Sequence, residues 1–203
     1  MTLDLSDIET ATLGHFLEDG FMDPAIQGVI PAARAFGPAL TVRLPGDDGT
    51  ALAHALSALE PGQFLVVDRC GDRRHACWGA VLTAAAMARG CAGVVIDGYV
   101  TDLSALVAAG FPVWCRGRSP ITTKIRGKGG EVGGEVACGG VAVKTGDLIL
   151  ADENGVLALD PATAPDHAAR ARAMQAAEPE TIRRLQAGET LAAITRPPAL
   201  PTA

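Results

Sequence analysis

Two short apolar segments, each ending in an acid, most constrain the fold of this chain. Val66–Asp68 and Val94–Asp97 are followed closely by glycines, Gly71 and Gly98, and an alanine-rich helical pattern separates them. This order is typical of a β-α-β unit, in which parallel strands bring their carboxyl ends to one edge of the sheet. Open α/β sheets bind ligands at that edge. We therefore expect carboxylates and a helix N-terminus to meet there.

The same alternation continues on both sides of this unit. Strands are expected at Ala39–Arg43, Phe64–Asp68, Gly93–Asp97 and Pro112–Cys115, and helices over 50–59, 77–89 and 102–109. Gly90 and Gly110 mark the ends of the last two helices, where a left-handed residue commonly follows the final turn. The spacing predicts a mostly parallel core.

The flanking segments predict different structure. A helix is expected over 6–19, short antiparallel strands over 141–143, 148–151 and 156–159 with turns at 144–147 and 152–155, and a helical tail over 162–195 interrupted near Pro179. The fold class is therefore α/β, with a mostly parallel β-α-β core, an antiparallel section and a C-terminal helical arm. Residues 1–160 form one α/β domain, and residues 161–203 form its arm and Pro-rich tail.

Composition narrows the class of protein. The 203 residues are 48% hydrophobic, and their net charge of −6 disfavours a nucleic-acid partner. No apolar run approaches the roughly 20 residues that span a membrane. The N-terminus is acidic and lacks a signal-peptide pattern, so a cytoplasmic protein without a membrane partner is expected.

Five cysteines, with no CxxC spacing, argue against a disulfide scaffold. Cys91 and Cys138 lie among small apolar residues and are expected in the core. Cys70 and Cys77 flank the expected site, but no His-Asn pairing supports a nucleophilic role.

Asp102 is the first candidate site residue, because it follows a strand and starts a short helix. It can cap that helix by accepting one of its first amides. Alternatively, it can bind a hard divalent cation such as Mg²⁺ or Mn²⁺, which typically takes one or two carboxylates and several waters. The neighbouring Thr101 adds an uncharged hydroxyl.

A second candidate is the start of the alanine-rich helix at Trp78–Val81. Free amides at a helix N-terminus favour a carboxylate or phosphate, and Gly79 permits close approach. The alternative is an ordinary helix start with Trp78 in the core. Arg73 or Arg74 could reach an anion bound there.

A local basic cluster interrupts the acidic chain, at Arg116, Arg118, Lys124, Arg126 and Lys128. It is either a solvated loop or a loop that contacts an anion or a second subunit.

An ordered set of residues resembles one family along nearly the whole chain, roughly residues 8–195. The set is Val66-Val67-Asp68, Gly71-Asp72, Trp78-Gly79, Gly90, Asp97-Gly98, Asp102, Gly110–Val113, Gly139–Val141, Gly146-Asp147, Ala151-Asp152 and Gln186–Leu191. It is similar to the RraA-like family, which includes the 4-hydroxy-4-methyl-2-oxoglutarate / 4-carboxy-4-hydroxy-2-oxoadipate aldolases.

The resemblance implies an α/β sandwich, trimers or hexamers with sites between subunits, and Mg²⁺ or Mn²⁺ as cofactor. Family enzymes cleave 2-oxo acids through a metal-stabilised pyruvate enolate, and a related activity decarboxylates oxaloacetate. Carried over, Asp102 is the expected metal ligand and catalytic residue, and Gly79, Ala80, Val81 and Leu82 are the expected carboxylate-binding helix start. Thr101 occupies a catalytic and substrate-binding position.

The chain departs from the family pattern at three charged positions. Thr101 stands where the family has Arg, Ala80 where the aldolases carry an acid, and Ala105 where they often have Glu or Asp. Three functions follow: a divalent-metal lyase on a 2-oxo acid, a divergent metal enzyme on another small organic acid, or a non-catalytic regulator of a protein partner. In the first two, Arg73, Arg74, Lys124 or Arg126 is a candidate replacement for the absent Arg.

Overall fold

The computed structural model describes residues 3–199 and 201, in which six helices and eleven strands are found. The helices are α1 (Thr10–Leu13), α2 (Thr50–Ala58), α3 (Ala80–Ala88), α4 (Leu103–Ala109), α5 (Ala164–Gln186) and α6 (Leu191–Thr195). The strands are β1 (Gln27–Gly28), β2 (Ala35–Arg43), β3 (Phe64–Asp68), β4 (Ala76–Trp78), β5 (Gly93–Val100), β6 (Val113–Arg118), β7 (Glu131–Val132), β8 (Glu135–Cys138), β9 (Val141–Lys144), β10 (Leu148–Ala151) and β11 (Val156–Leu159).

One mixed sheet organises the molecule, with the main strand order β1-β6-β5-β3-β2-β10-β11. Its centre is parallel, because β2, β3, β5 and β6 pair in the same direction, and the short β4 extends the end of β5 in parallel. The edges are antiparallel at β1, β10 and β11. The α/β fold class, with its parallel core and antiparallel section, is confirmed.

Alternation along β3 shows how the sheet separates two cores. Leu65 and Val67 pack with α2, α3 and α4 on one face, whereas Phe64 and Val66 pack with β8 and β9 on the other. All four side chains are fully buried. Strands covered on both faces have continuous apolar sequences, which is why β3 was recognisable from sequence.

The first helix is much shorter than the expected 6–19. The buried carboxylate of Asp152 accepts hydrogen bonds from the amide and hydroxyl of Thr10, at 2.8 and 2.6 Å, and so fixes the helix start at Thr10. Beyond Leu13, the amides of His15 and Phe16 bond to residues three positions earlier, which makes tight turns rather than an α-helix.

The helix expected over 77–89 begins at Ala80, because the preceding residues form β4. Ala76 and Trp78 pair with Tyr99 and Val100, so β5 runs beyond its expected end. Asp97 and Gly98 therefore lie inside a strand rather than in a strand-end turn. The pairing of β4 with β5 carries Gly79 and Thr101 to the same edge of the sheet.

The antiparallel section is also rearranged. Strand β9 pairs with β8, not with β10, because Gly139 and Gly140 both adopt positive φ and close a two-residue hairpin. Strand β10 pairs with β2 and β11 instead.

The C-terminal arm is helical as expected, but Pro179 does not interrupt it. Helix α5 runs through Pro179 as one element of 23 residues. Its first half buries Ala164, Ala168 and Ala171 against α1 and the β10–β11 hairpin. Across the described residues, no helix is both long and apolar enough to cross a membrane.

Candidate functional site

A pocket of about 360 Å³ opens where β4 ends and α3 begins. Its walls come from α2, the β4–α3 junction, the β5–α4 junction and the segment that follows β6. The lining residues are Gly49, Ala53, Ala76, Cys77, Trp78, Gly79, Val81, Leu82, Thr101, Asp102, Thr122, Thr123 and Ile125. The volume suits a small organic ligand.

Asp102 joins two of these walls. It precedes α4 in a left-handed conformation, with φ of 54°, and its side chain makes no capping hydrogen bond to α4. Its Oδ2 instead accepts the Ala80 amide of α3 at 3.0 Å. The interpretation in which Asp102 caps its own helix is wrong, since the carboxylate caps a neighbouring helix at the pocket.

Gly79 makes this approach of the carboxylate to α3 sterically feasible. A Cβ atom at Gly79 would lie 2.5 Å from Asp102 Oδ2 and 2.9 Å from Thr101 Cγ2. The Thr101 amide also donates to the Trp78 carbonyl at 2.8 Å, which fixes the two junctions together. The glycine is therefore required by contact with Asp102 and Thr101, because its backbone is extended and any residue could adopt it.

We predict that Gly79→Ala displaces Asp102 and reduces stability by about 1–3 kcal/mol, the usual cost of overpacking. The matched control is Gly28→Ala, where the nearest atoms would lie 3.4 Å from the new Cβ, an ordinary contact. Thermal unfolding of both variants tests this. Equal melting temperatures for the two variants would contradict the steric requirement at Gly79.

The start of α3 offers fewer free amides than the sequence indicated. The Ala80 amide is already bonded to Asp102, and Ala80 does not line the pocket. The amides of Val81 and Leu82 have no hydrogen-bond partner within the described residues. A carboxylate at this helix start would therefore bind through Val81 and Leu82, beside the Asp102 carboxylate.

The segment from Ser119 to Lys128, here called the cover segment, forms the pocket wall that sequence reasoning missed. Its Ile121 carbonyl and Thr123 amide bond to Ala76 of β4, at 2.7 and 2.9 Å. Thr122, Thr123 and Ile125 then line the pocket.

Asp48 anchors the far end of the cover segment. This buried carboxylate accepts the Thr50 hydroxyl at 2.6 Å, the Arg126 amide at 3.0 Å and the Lys128 amide. The Thr50 hydroxyl and these amides hold the pKa of Asp48 well below its usual range. The signal in the sequence that could have identified this anchor is an Asp two residues before a Thr, a common local hydrogen-bonding pattern.

A family assignment follows from comparison with known proteins. A sequence model of the RraA-like family, described as Aldolase/RraA, matches residues 2–158. The chain belongs to the RraA-like family. A protein of Halalkalibacterium halodurans, named as a candidate 4-hydroxy-4-methyl-2-oxoglutarate aldolase, is 38% identical over 120 residues, covering 59% of this chain and 57% of that protein. The match thus spans little more than half the length of that relative.

Two solved structures share the fold of this chain. An uncharacterised protein from Pseudomonas syringae superposes with a TM-score of 0.80 at 27% identity, covering 92% of each chain. RraAS2 of Streptomyces coelicolor, described as an unusual member of the RNase ES inhibitor RraA protein family, gives a TM-score of 0.75 at 26% identity, covering 89% of this chain and 93% of that one.

In this RraA-like chain, Asp97 and Asp72 do not line the pocket. Asp97 binds Arg73 at 3.0 Å, Arg116 and the Gly139 amide, outside the lining residues. Asp72 accepts the His75 and Arg74 amides; burial acts to raise its pKa, but these bonds lower the pKa to about 2. Among the described residues, Asp102 is therefore the only carboxylate in the pocket lining.

Three of the candidate basic residues pair with acids that do not line the pocket. Arg126 and Lys128 pair with Asp47, each at 3.1 Å, and Arg73 pairs with Asp97. Lys124 differs, because its Nζ donates to the hydroxyl of Thr122, a lining residue, at 2.9 Å. Arg74 and Arg118 are outside the lining residues.

Of the cysteines, Cys77 lines the pocket and Cys70 does not. Burial raises the pKa of the Cys77 thiol to about 12, so it stays protonated at neutral pH and is a poor nucleophile. Cys91 and Cys138 are buried, as expected for core residues.

Proposed function

We propose that this RraA-like protein is a divalent-metal-dependent lyase of the aldolase or oxaloacetate-decarboxylase type, acting on a 2-oxo acid. The observation that carries the proposal is the Asp102 carboxylate, held by one amide at the mouth of a small pocket. The family, and the name of the H. halodurans relative, support the same reaction class. Trimers or hexamers, as the resemblance implies, are part of this proposal.

The residues present fit a Mg²⁺ or Mn²⁺ ion of the kind that keeps most of its waters. The described chain brings together no group of three or more His, Cys, Asp or Glu. A single carboxylate suffices for Mg²⁺ when water and substrate oxygens complete its shell. Asp102 is exposed, and only its Oδ2 is engaged by a hydrogen bond within the described residues.

Charge balance also favours a cation at Asp102. Among the described residues, the pocket lining contains one carboxylate and no Lys or Arg. An anionic substrate entering there meets like charge, which disfavours binding in a partly desolvated site. A divalent ion bound to Asp102 would change the net charge of the pocket lining from negative to positive.

In this proposal, each group of the chain that lines the pocket has a separate role. Asp102 holds the ion, which when bound polarises the 2-oxo group as a Lewis acid. The free Val81 and Leu82 amides bind the substrate carboxylate. The Thr101 hydroxyl can hydrogen-bond a substrate oxygen, and the cover segment supplies Thr122, Thr123 and Ile125 to the pocket wall.

The test measures pyruvate formation from oxaloacetate with Mg²⁺, Mn²⁺ or chelator. We expect turnover with either ion that exceeds the rate of the same ion without protein, and loss of that excess with chelator. Metal-independent or absent turnover would count against the lyase.

A regulator of a protein partner is the second candidate, and Thr101 favours it. Losing a charge that stabilises a transition state costs about 3–4 kcal/mol, and Thr101 provides none. The S. coelicolor neighbour is described as a member of a family of RNase inhibitors. A stoichiometric protein partner in a pull-down, together with no Mn²⁺ binding by calorimetry, would support this candidate over the lyase.

A further inference from the structure

We infer that Lys124, on the cover segment, binds the second carboxylate of a 2-oxo dicarboxylic acid such as oxaloacetate. This role rests on the proposed lyase function and adds to it the residue that recognises the second charge of the substrate. Three observations support it: the position of Lys124, the hydrogen-bond donors that its ammonium group has left, and the pairing of the other cations nearby.

Hydrogen bonds hold both the backbone and the side chain of Lys124 at the edge of the pocket. Its carbonyl accepts the amide of Gly49, a lining residue, at 2.8 Å, and its amide donates to the Asp47 carbonyl at 2.8 Å. Its Nζ donates to the hydroxyl of Thr122, another lining residue, at 2.9 Å. The ammonium group therefore lies within one hydrogen bond of the pocket wall.

The pair formed by Lys124 and Thr122 has hydrogen-bond donors left for a ligand. An ammonium group carries three N–H donors, and the Thr122 hydroxyl accepts one of them. Because that hydroxyl accepts from Lys124, its own proton is available to a substrate oxygen. Within the described residues, these remaining donors have no other partner. A carboxylate, with its two oxygens, can accept from Nζ and from this hydroxyl together.

The cover segment contains three cations, and Lys124 differs from the other two. Arg126 and Lys128 both pair with Asp47, each at 3.1 Å. Lys124 is exposed, and none of the ion pairs found in the described part of the chain includes it. Its side chain is also the only basic one there that is hydrogen-bonded to a lining side chain. Lys124 is therefore the cation available to an anion at this wall.

A 2-oxo dicarboxylate needs a positive group on each of two walls of the pocket. In the proposed function, the ion on Asp102 and the amides of Val81 and Leu82 serve the oxo group and the carboxylate beside it. The second carboxylate would be costly to bind without a partner of its own. Lys124 supplies that partner from the cover segment, through a hydrogen bond of the stronger, charge-assisted kind. Groups from a neighbouring subunit would add to this contact without replacing it.

The test removes the charge of Lys124 and keeps a long side chain. Lys124→Met loses the ammonium group but retains the backbone hydrogen bonds to Asp47 and Gly49. With Mn²⁺ present, we expect the KM for oxaloacetate to rise by at least about tenfold, which corresponds to about 1.4 kcal/mol. Inhibition by pyruvate, which lacks the second carboxylate, should remain that of the wild type.

The value of kcat separates binding of the second carboxylate from other roles of Lys124. In oxaloacetate decarboxylation the C3–C4 bond breaks with its electron pair moving to C3, C4 leaves as CO₂, and C3 takes up a proton. The carboxylate held by Lys124 loses its charge as this bond breaks, so Lys124 stabilises the bound substrate more than the transition state. Lys124→Met should therefore raise KM without lowering kcat. A lower kcat at unchanged KM would overturn the proposed role.

Two further variants are controls. Lys124→Arg keeps the positive charge and should retain the low KM of the wild type. Lys144→Met removes an exposed lysine that pairs with Glu135 at 3.5 Å and does not line the pocket, so its KM should also be that of the wild type. Melting temperature and calorimetric Mn²⁺ affinity should be unchanged in all three variants, because none of them touches Asp102.

The two proposals fail differently. If oxaloacetate is cleaved but Lys124→Met leaves its KM unchanged, or weakens pyruvate inhibition equally, Lys124 does not bind the second carboxylate and the lyase stands. If the wild type does not cleave oxaloacetate with Mn²⁺, the lyase fails, and calorimetric titration of the Mn²⁺-loaded protein with 2-oxoglutarate decides the role of Lys124. Binding at least about tenfold weaker in Lys124→Met supports that role. Equal binding by the two proteins, or binding by neither, overturns it.

Discussion

Asp102→Asn should lower metal-dependent pyruvate formation by at least about 100-fold while leaving the fold intact. The reason is that the asparagine side chain keeps an oxygen that can accept the Ala80 amide, whereas it loses the negative charge that a hard cation requires. Steady-state rates with Mn²⁺ and titration of Mn²⁺ by calorimetry measure the two consequences. The melting temperature without metal should change little.

The matched control for this variant is Asp166→Asn. Asp166 is an exposed acid in the first turn of α5 and does not line the pocket. It should retain wild-type activity and Mn²⁺ affinity. Wild-type turnover in Asp102→Asn would show that another group holds the ion and would remove the observation on which the proposed function rests.

The pocket contains residues of two kinds, which differ in how far the sequence could identify them. Asp102 and Gly79 follow strands and begin helices, and such positions are recognisable because parallel strands end at one edge of the sheet. The partner of Asp102 was not recognisable in this way. Its carboxylate bonds to Ala80, 22 residues earlier, because β4 and β5 pair beside it.

The path of the cover segment could not be predicted from its local sequence pattern. Its proline, its one glycine and its basic residues predict a loop, and nothing in its own composition fixes its path. Asp48 fixes it, through hydrogen bonds to amides 78 and 80 residues away. Contacts of this kind depend on the finished fold, so the pocket wall they create could not be derived from spacing alone.

The bounds of the strands were easier to predict than the positions of the acids expected at their ends. The continuous apolar runs of β3, β10 and β11 match their expected bounds, because burial on both faces or in a tight hairpin leaves a clear pattern. Asp97 was expected at the sheet edge with Asp102, but β5 continues for three residues beyond it. Arg116 from β6 and Arg73 then neutralise it away from the pocket.

Arg69 is a buried residue that the sequence did not single out, and it holds the turn that carries Asp48. Its side chain is fully buried, with Nη1 donating to the Leu44 carbonyl at 2.7 Å and Nη2 to the Gly46 carbonyl at 2.6 Å. Asp72 lies 3.6 Å from Nη2 and supplies the counter-charge. Gly98 is a glycine because a Cβ there would collide with the aliphatic stem of Arg69.

We predict that Arg69→Met destabilises the protein by about 3 kcal/mol, because it leaves the buried Leu44 carbonyl without its donor and removes the counter-charge of Asp72. Urea unfolding measures the change. Arg43→Met is the control: Arg43 lies on the adjoining strand, is exposed and pairs with Glu131 at 3.9 Å, so its loss should cost less than about 1 kcal/mol.

The Arg69→Met variant also tests whether the buried Arg69 supports the pocket wall. The turn at 45–49 carries Asp48, which holds the cover segment, and Gly49, which lines the pocket. If Arg69 fixes that turn, Arg69→Met should also raise KM more than it lowers kcat, since it loosens a wall without touching Asp102. A variant that loses about 3 kcal/mol of stability but keeps its KM would show that Asp48 and the β4 contacts hold the cover segment without Arg69.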